Sequence, residues 1–492
     1  MLHDRPFSCR TARLGAGTPP SPASSSSGDT TVPARLALFI SAALTLLAGC
    51  ATPPPEPLRP APRPDPSMAV ATNAVAERPL PQAWWTAFRD PELDRLVALA
   101  LAENRDLLQA DARLDAARAR AKLAGADAAL QVTGQADATR SRRSESTALS
   151  FGPKYQTGFG AGLQFAYEVD LWGRIRATRE AAAKAVELSA ADRAAAEIAI
   201  AAEVAKSHFN RLSAQREAAV FDRQIAAYAD TEIILAERAN AGFATDLDVE
   251  RVRIEKAARE GERAFFRERE QACANALSLL CGQPAALASA TRAEPREAVA
   301  PDVPPSLSLT LLESRPDVAA KRAKWEAAFQ RVQAARAALY PTLRLTGTLG
   351  AESERLDDLL DWQSRLWSLV AGLTGPVLDG GRLKAALEIE RAGLREAAAD
   401  YEAAVLTAYR EVADALNALR AVAERQQAAE RVRDSARRAL ALSRERYEKG
   451  FVTYLEVVES DRAFLAAERT LIQLQAVRQT STVDLVRALG IP

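Results

Sequence analysis

Histidine and methionine are almost missing from this 492-residue chain, with two of each, and cysteine occurs only four times. Of the histidines, His3 precedes the leader cleavage point and His208 stands alone on a helix, where a partly exposed structural role is expected. No convergent set of titratable groups that an enzyme would need is visible, and none is expected to bind a cofactor or a metal. Cys9 lies ahead of the leader. Cys273 and Cys281 are eight apart in a helical passage, roughly 12 Å at 1.5 Å per residue, too far to pair, and read as small core residues. Charge of one sign is lacking too: Lys plus Arg and Asp plus Glu both total 64, which removes the electrostatic case for a nucleic-acid partner. No phosphate-binding loop occurs. Gly158-Phe159-Gly160-Ala161-Gly162 has the wrong spacing for a dinucleotide fingerprint and sits in a predicted strand. Most of the 26 prolines lie before residue 82 or between 284 and 316, leaving Ala-rich and charge-rich passages suited to long helices.

The apolar run Leu36–Leu47 is too short to span a membrane and is flanked as a secretory leader is, by Arg35 before it and Ala48-Gly49-Cys50 after. Leu47-Ala48-Gly49-Cys50 resembles the bacterial lipobox, so acylation is expected at Cys50, which becomes the first residue of the mature chain. Ala51, rather than Asp, favours the outer membrane under the sorting rules that this resemblance brings. Residues 1–31, with Pro19-Pro20-Ser21-Pro22 and Ser24 to Ser27, are foreign to such a leader, and translation is expected to start at Val32. Residues 1–49 then form the leader with its extension, and 50–82 an anchored Pro-rich tether.

What dominates the rest is duplication. Residues 173–284 recur as 381–492 at a constant offset of 208 without a gap: Gly173-Arg174 as Gly381-Arg382, Gly242-Phe243 as Gly450-Phe451, Gly282-Gln283-Pro284 as Gly490-Ile491-Pro492. A period of that size points to a doubled half-molecule rather than a solenoid. The first repeat is expected over 83–286, a linker over 287–310 and the second repeat over 311–492. Between Gly173 and Gly242, 68 residues run without Gly or Pro, and Leu394 to Lys449 shares the property. As helix, 68 residues reach roughly 100 Å. Return helices over 244–281 and 452–489 complete two helical hairpins. Ile198, Ala201, Ala202, Ala205 and Phe209 mark a coiled-coil-like contact stripe.

Residues 159–171 alternate with period two: Phe159, Ala161, Leu163, Phe165, Tyr167, Val169 and Leu171 against Gly160, Gly162, Gln164, Ala166, Glu168 and Asp170. That is a strand with one face for lipid and one for an aqueous lumen. Further strands are expected at 131–139, 342–352 and 367–377, with 140–157 and 353–365 as hairpin loops. Four strands leave open edges that a bilayer forbids, so other subunits must complete the barrel.

Here the chain resembles the TolC-like outer-membrane efflux factors, in their lipidated branch, over essentially the whole mature length. The resemblance rests on Trp84-Trp85 with Phe88, Asp90-Pro91 and Leu93; on Asn104 with Asp106-Leu107; on Tyr167 through Arg174; on Ser314-Arg315-Pro316-Asp317-Val318; on Ala338-Leu339-Tyr340-Pro341; and on Pro376 through Arg382. It implies a mainly α fold with membrane β: long helical hairpins forming a periplasmic tunnel, and four strands per chain in a shared twelve-stranded barrel of a homotrimer. It also implies a passive duct for drugs or other small toxic compounds, with a periplasmic adaptor and an inner-membrane pump as partners and outer-membrane lipid around it. Protein secretion through the same fold, or a scaffold without a pore, are the competing readings. Under the resemblance Glu456 and Glu459 occupy the acidic constriction of the closed tunnel end. Asp248 and Arg251 match them in the first repeat, and solvated helix charges are the alternative. Asp170 and Asp379, each before a Gly-Arg step, are expected to cap the helices that follow.

Overall fold

The computed structural model describes residues 83–144, 154–285 and 315–491, all within the unit Pro57–Pro492. A short 3-10 turn, Trp84–Phe88, leads into α1 (Pro91–Glu103) and α2 (Arg105–Ala126). Strands β1 (Gln131–Arg142) and β2 (Tyr155–Val169) precede the long α3 (Arg174–Asn240) and its return helix α4 (Asp246–Leu280). The second repeat follows the same order: α5 (Pro316–Ala337), β3 (Thr342–Ser353), β4 (Arg365–Thr374), α6 (Arg382–Glu448) and α7 (Tyr454–Ala488). Helices α3 and α6 each hold 67 residues, and α4 and α7 each hold 35, with every boundary displaced by the 208 residues of the sequence repeat.

Glycine makes this register possible. Gly242 and Gly450 end the long helices at φ 79° and 75°, and Gly282 and Gly490 end the return helices at 67° each. At each site the residue after the glycine donates back five positions, as in Phe243 N–H to Arg238 O at 2.8 Å and Phe451 N–H to Arg446 O at 2.9 Å. That is the Schellman termination, which needs a left-handed residue. Gly282 is constrained twice, since a Cβ there would lie 2.3 Å from the Glu103 carbonyl oxygen, whereas one at Gly242 would meet nothing. Gly282→Ala is expected to lower stability by about 2–4 kcal/mol, combining left-handed strain with the clash, and Gly242→Ala by about 1–2 kcal/mol from strain alone. Thermal melts of the two variants check this ordering; equal losses would remove the role given to the Glu103 contact.

The sheet runs β1-β2-β3-β4, antiparallel throughout, and leaves β1 and β4 as free edges among the described strands. Its register separates two faces. On one lie Phe159, Leu163, Phe165 and Tyr167 with Leu343, Leu345, Leu349, Trp367, Leu369 and Leu373; on the other Gln135, Gln164, Thr346, Thr348 and Ser368. The expected ends shift slightly. β2 begins earlier, at Tyr155, because β1 continues to Arg142 and pairs with it; it stops at Val169 because the Asp170 carboxylate turns to the next helix. β4 covers Arg365–Thr374 rather than 367–377, since Pro376 has no N–H to continue a ladder.

The described core sits midway along the hairpins. Trp84, Phe88, Leu93 and Val97 pack on Val204, Phe209, Leu277 and Val483, so α1, α3, α4 and α7 meet there. The stripe Ile198, Ala201, Ala202, Ala205 and Phe209 is buried at every position. Burial of each large side chain contributes about 2–3 kcal/mol. α6 differs. Tyr401, Ala408, Ala415, Val422 and Ala429 are buried at a strict spacing of seven while Leu406, Val432 and Leu442 remain exposed, the pattern of a helix packed along one seam only.

Candidate functional site at the hairpin tips

At each strand-to-helix step an aspartate turns back onto the helix start. Asp170 accepts from the Ile175 N–H (3.1 Å) and the Arg176 N–H (2.8 Å), and Asp379 from Gly381 (2.9 Å) and Leu383 (2.8 Å). The Leu383 and Gly381 N–H groups hold the Asp379 carboxyl below its ordinary pKa. Trp172 Nε1 donates to the Pro341 carbonyl at 2.6 Å and its ring stacks on Tyr340, tying the two repeats together beneath the sheet. Cys50 and His3 lie outside the described residues. Cys281 is buried, Cys273 half-buried, and both are free.

His208 departs from expectation. It is buried, at 3% exposure, because α1 covers this stretch of α3, and its Nε2 sits 2.8 Å from Asp90 Oδ2. Asp90 also accepts from the N–H groups of Glu92 (3.0 Å) and Leu93 (3.2 Å) as the cap of α1. Burial pushes the Asp90 carboxyl up, but His208 and the two N–H groups together outweigh it and leave the pKa below the ordinary value. A carboxyl whose folded pKa is depressed adds stability that is complete above its unfolded pKa, roughly 3.9, and is lost as pH falls through the folded value. Asp90→Asn is therefore expected to lower the melting temperature at pH 6, with the difference from the parent shrinking as pH falls below the ordinary carboxylate pKa. A constant difference across that range would contradict the linkage.

The gate candidates gather near the exposed corners Phe243 and Phe451. Asp248 closes onto its own N-cap: Thr245 Oγ1 donates to its Oδ2 at 2.8 Å, its own N–H donates to Thr245 Oγ1, and Arg251 pairs with it at 3.3 Å. Glu456, its counterpart, makes no such return; it stands 3.6 Å from Arg446, and Glu459 stands 3.0 Å from Arg462. Glu456 and Glu459 keep 49% and 60% side-chain exposure. They are thus open carboxylates, each beside an arginine, whereas Asp248 serves its own helix.

Around them lies a network that leaves little trace in the sequence. Tyr228 on α3 donates to Asp461 on α7 at 2.7 Å, and Arg444 on α6 approaches the same carboxylate at 3.5 Å. Glu255 on α4, almost fully buried, pairs with Arg259 at 2.7 Å and takes hydrogen bonds from Arg462 on α7. Burial, then the Asp461 charge and its hydrogen bond, raise the Tyr228 phenol well above its usual range. Tyr454 is pushed up to about 12 by burial and the neighbouring Asp461 and Tyr447, so both remain neutral donors near pH 7. Tyr228, Leu235, Arg444, Tyr454 and Asp461 border a cavity of about 410 Å³ between the two hairpins. Glu255 was detectable in principle, as the charged member of the i, i+3 series Val249, Val252, Glu255 on a buried face.

A mainly helical chain with a four-stranded sheet, one apolar face and two unpaired edges defines a channel-forming subunit of a membrane barrel. The comparisons agree. The family described as "Outer membrane efflux protein" matches residues 96–283 and 307–491, and the chain belongs to that family. It is similar to the outer membrane protein OprJ of Pseudomonas aeruginosa, 35% identical over 414 residues that cover 83% of this chain and 85% of that one. It is likewise similar to the pyoverdine export outer membrane protein OpmQ of Pseudomonas putida, 31% identical over 466 residues, 94% and 98% of the two. Among solved structures, the outer membrane protein VceC of Vibrio cholerae superposes with a TM-score of 0.76 at 29% identity, over 83% of this chain and 98% of that one. This protein is an outer-membrane efflux channel component with a large periplasmic helical portion.

Proposed function

We propose that three copies close one passive exit duct for small toxic compounds, lipid-anchored through Cys50 and joined at its periplasmic tips to an adaptor and an inner-membrane pump. The observation that carries this reading is the sheet. Trp367 and Leu369 are 79% and 76% exposed, Leu349 and Leu373 both 55%, on a face flanked by two unpaired edges. In a bilayer an unpaired backbone edge costs several kcal/mol per group, so β1 must find a β4 on another copy. Three copies of four strands give an even-numbered barrel wide enough for a wet lumen. The exposed side of α6, with Leu406, Val432 and Leu442, supplies the matching helical interfaces. The relative OpmQ is named for pyoverdine export, which supports an export role here.

Within that duct Glu456 and Glu459 form the periplasmic constriction, with Asp248 holding the neighbouring corner. Purified trimer in a planar bilayer is expected to give discrete, cation-preferring conductance. Glu456→Gln with Glu459→Gln is expected to lower cation preference and weaken block by multivalent cations from the periplasmic side, while the trimer survives in detergent. No conductance from an intact trimer would leave a scaffold in place of a duct. Unchanged selectivity in the double variant would move the constriction elsewhere on the tip.

A further inference from the structure

The apolar sheet face carries three charged residues among its described strand positions, and all are arginines at one end. Register places Arg140 opposite Thr157 and Arg142 opposite Tyr155, two and four residues beyond the Ala138–Phe159 pair on the same face. Arg365 opposes Ala351 and shares its face with Trp367, Leu369 and Leu373. The other end of this face is bare of charge, closing on Val132, Val169, Leu343 and Leu373. The acids of the strands, Asp137, Glu168 and Glu352, all lie on the opposite, lumenal face. Since the helices leave the sheet toward the periplasm, the arginines stand at the outer-leaflet rim.

Each end of this rim has an arginine on an aromatic ring. Arg142 lies 6.0 Å from the Tyr155 ring centroid and Arg365 4.2 Å from that of Trp362. Aromatic rings at that depth are interface residues, and stacking orders the guanidinium without using its N–H donors. Arg143 and Lys154 close the β1–β2 pair just above, where the Arg143 N–H meets the Lys154 carbonyl at 3.0 Å, and add positive charge. Glu354 and Asp361 belong to the loop beyond the strands, and Asp357 and Asp358 are held by Arg355.

Arg140 and Arg142 are on β1 and Arg365 on β4, the two free edges. In a barrel closed between copies, these edges join. We propose that Arg140 and Arg142 of one copy and Arg365 of the next form a clamp at each subunit junction for the phosphate groups of an outer-leaflet phosphoglycolipid, whose acyl chains lie on Phe159, Leu163, Trp367 and Leu369. This rests on the trimeric reading above. Arginine suits it because its planar fork grips phosphate bidentately, and charge is tolerated on a lipid-facing strand only near the interface.

The test is native mass spectrometry of the full-length trimer with bisphosphorylated lipid A, dephosphorylated lipid A, or inorganic phosphate as competitor. Each arginine near an anionic lipid surface is worth about fivefold in affinity, so Arg140→Gln, Arg142→Gln and Arg365→Gln together are expected to weaken retention of the bisphosphorylated lipid on the order of a hundredfold. Lysine at the same positions keeps the charge but loses the fork and the stacking, and is expected to restore only part of it, with conductance unchanged. Should the triple variant not assemble, Arg365→Gln alone is expected to lose about fivefold. Intact variant trimers that retain the phosphorylated lipid as the parent does would overturn the clamp while leaving the duct standing. Displacement by millimolar inorganic phosphate would mark an ordinary anion site and overturn the lipid assignment. A parent that shows no trimer mass would refute the closure of the barrel, and the junction with it.

Discussion

Arg315→Met is expected to destabilise the protein by about 3 kcal/mol, at the low end for breaking a buried ion pair. The Arg315 side chain is 6% exposed and holds three groups at once: Asp317 at 2.7 Å, Glu411 of α6 at 2.8 Å and the Ala488 carbonyl at the end of α7. Methionine fills a similar volume but strands that carbonyl and two carboxylates. Asp317 and Glu411 are 49% and 28% exposed, so water reaches them, and this keeps the loss from the top of the range. Arg315→Lys keeps the charge without the fork and is expected to recover less than half. Chemical denaturation monitored by helical circular dichroism would measure both; a methionine variant within 1 kcal/mol of the parent would refute the three-way role.

The second large effect is expected on conductance. Tyr228→Phe with Asp461→Ala removes the ties that Asp461 makes to α3 and α6, while Glu255–Arg462 near the tip and Glu217–Arg469 and Arg223–Glu468 farther along still hold the hairpins together. A hydrogen bond to a charged group is worth about 1.5–3 kcal/mol, enough to shift a closed tip by more than tenfold toward open if closure depends on it. Single-channel conductance of the double variant is expected to rise several-fold at unchanged trimer yield. A lower melting temperature with conductance as in the parent would make the tie purely structural. Glu456 and Glu459, exposed and on the same helix, are left intact by this change, so its effect is separable from that of the carboxylate ring.

Local signals carried much of this molecule. Helix lengths, the glycine corners, the aspartate caps and the strand alternation each depend on residues within a few positions of one another, and the duplication states each of them twice. Thus both long helices end at Gly242 and Gly450, and Asp170 and Asp379 turn back on helices that begin a few residues later. Contacts between distant segments carry no such periodic mark. Asn104 caps α2 and also donates to the Leu280 carbonyl 176 residues away, and Arg315 does the same for Ala488 at a separation of 173; as sequence, both were motif letters without a partner. His208 reads as a lone, partly exposed histidine until α1 folds over it, and Glu255 as one acid among many until Arg462 arrives from the other repeat. The three rim arginines are scattered over more than two hundred positions, and only antiparallel register puts them on one face. Period and punctuation are properties of the chain, whereas burial and charge pairing depend on which segment arrives alongside, and that was decided by packing.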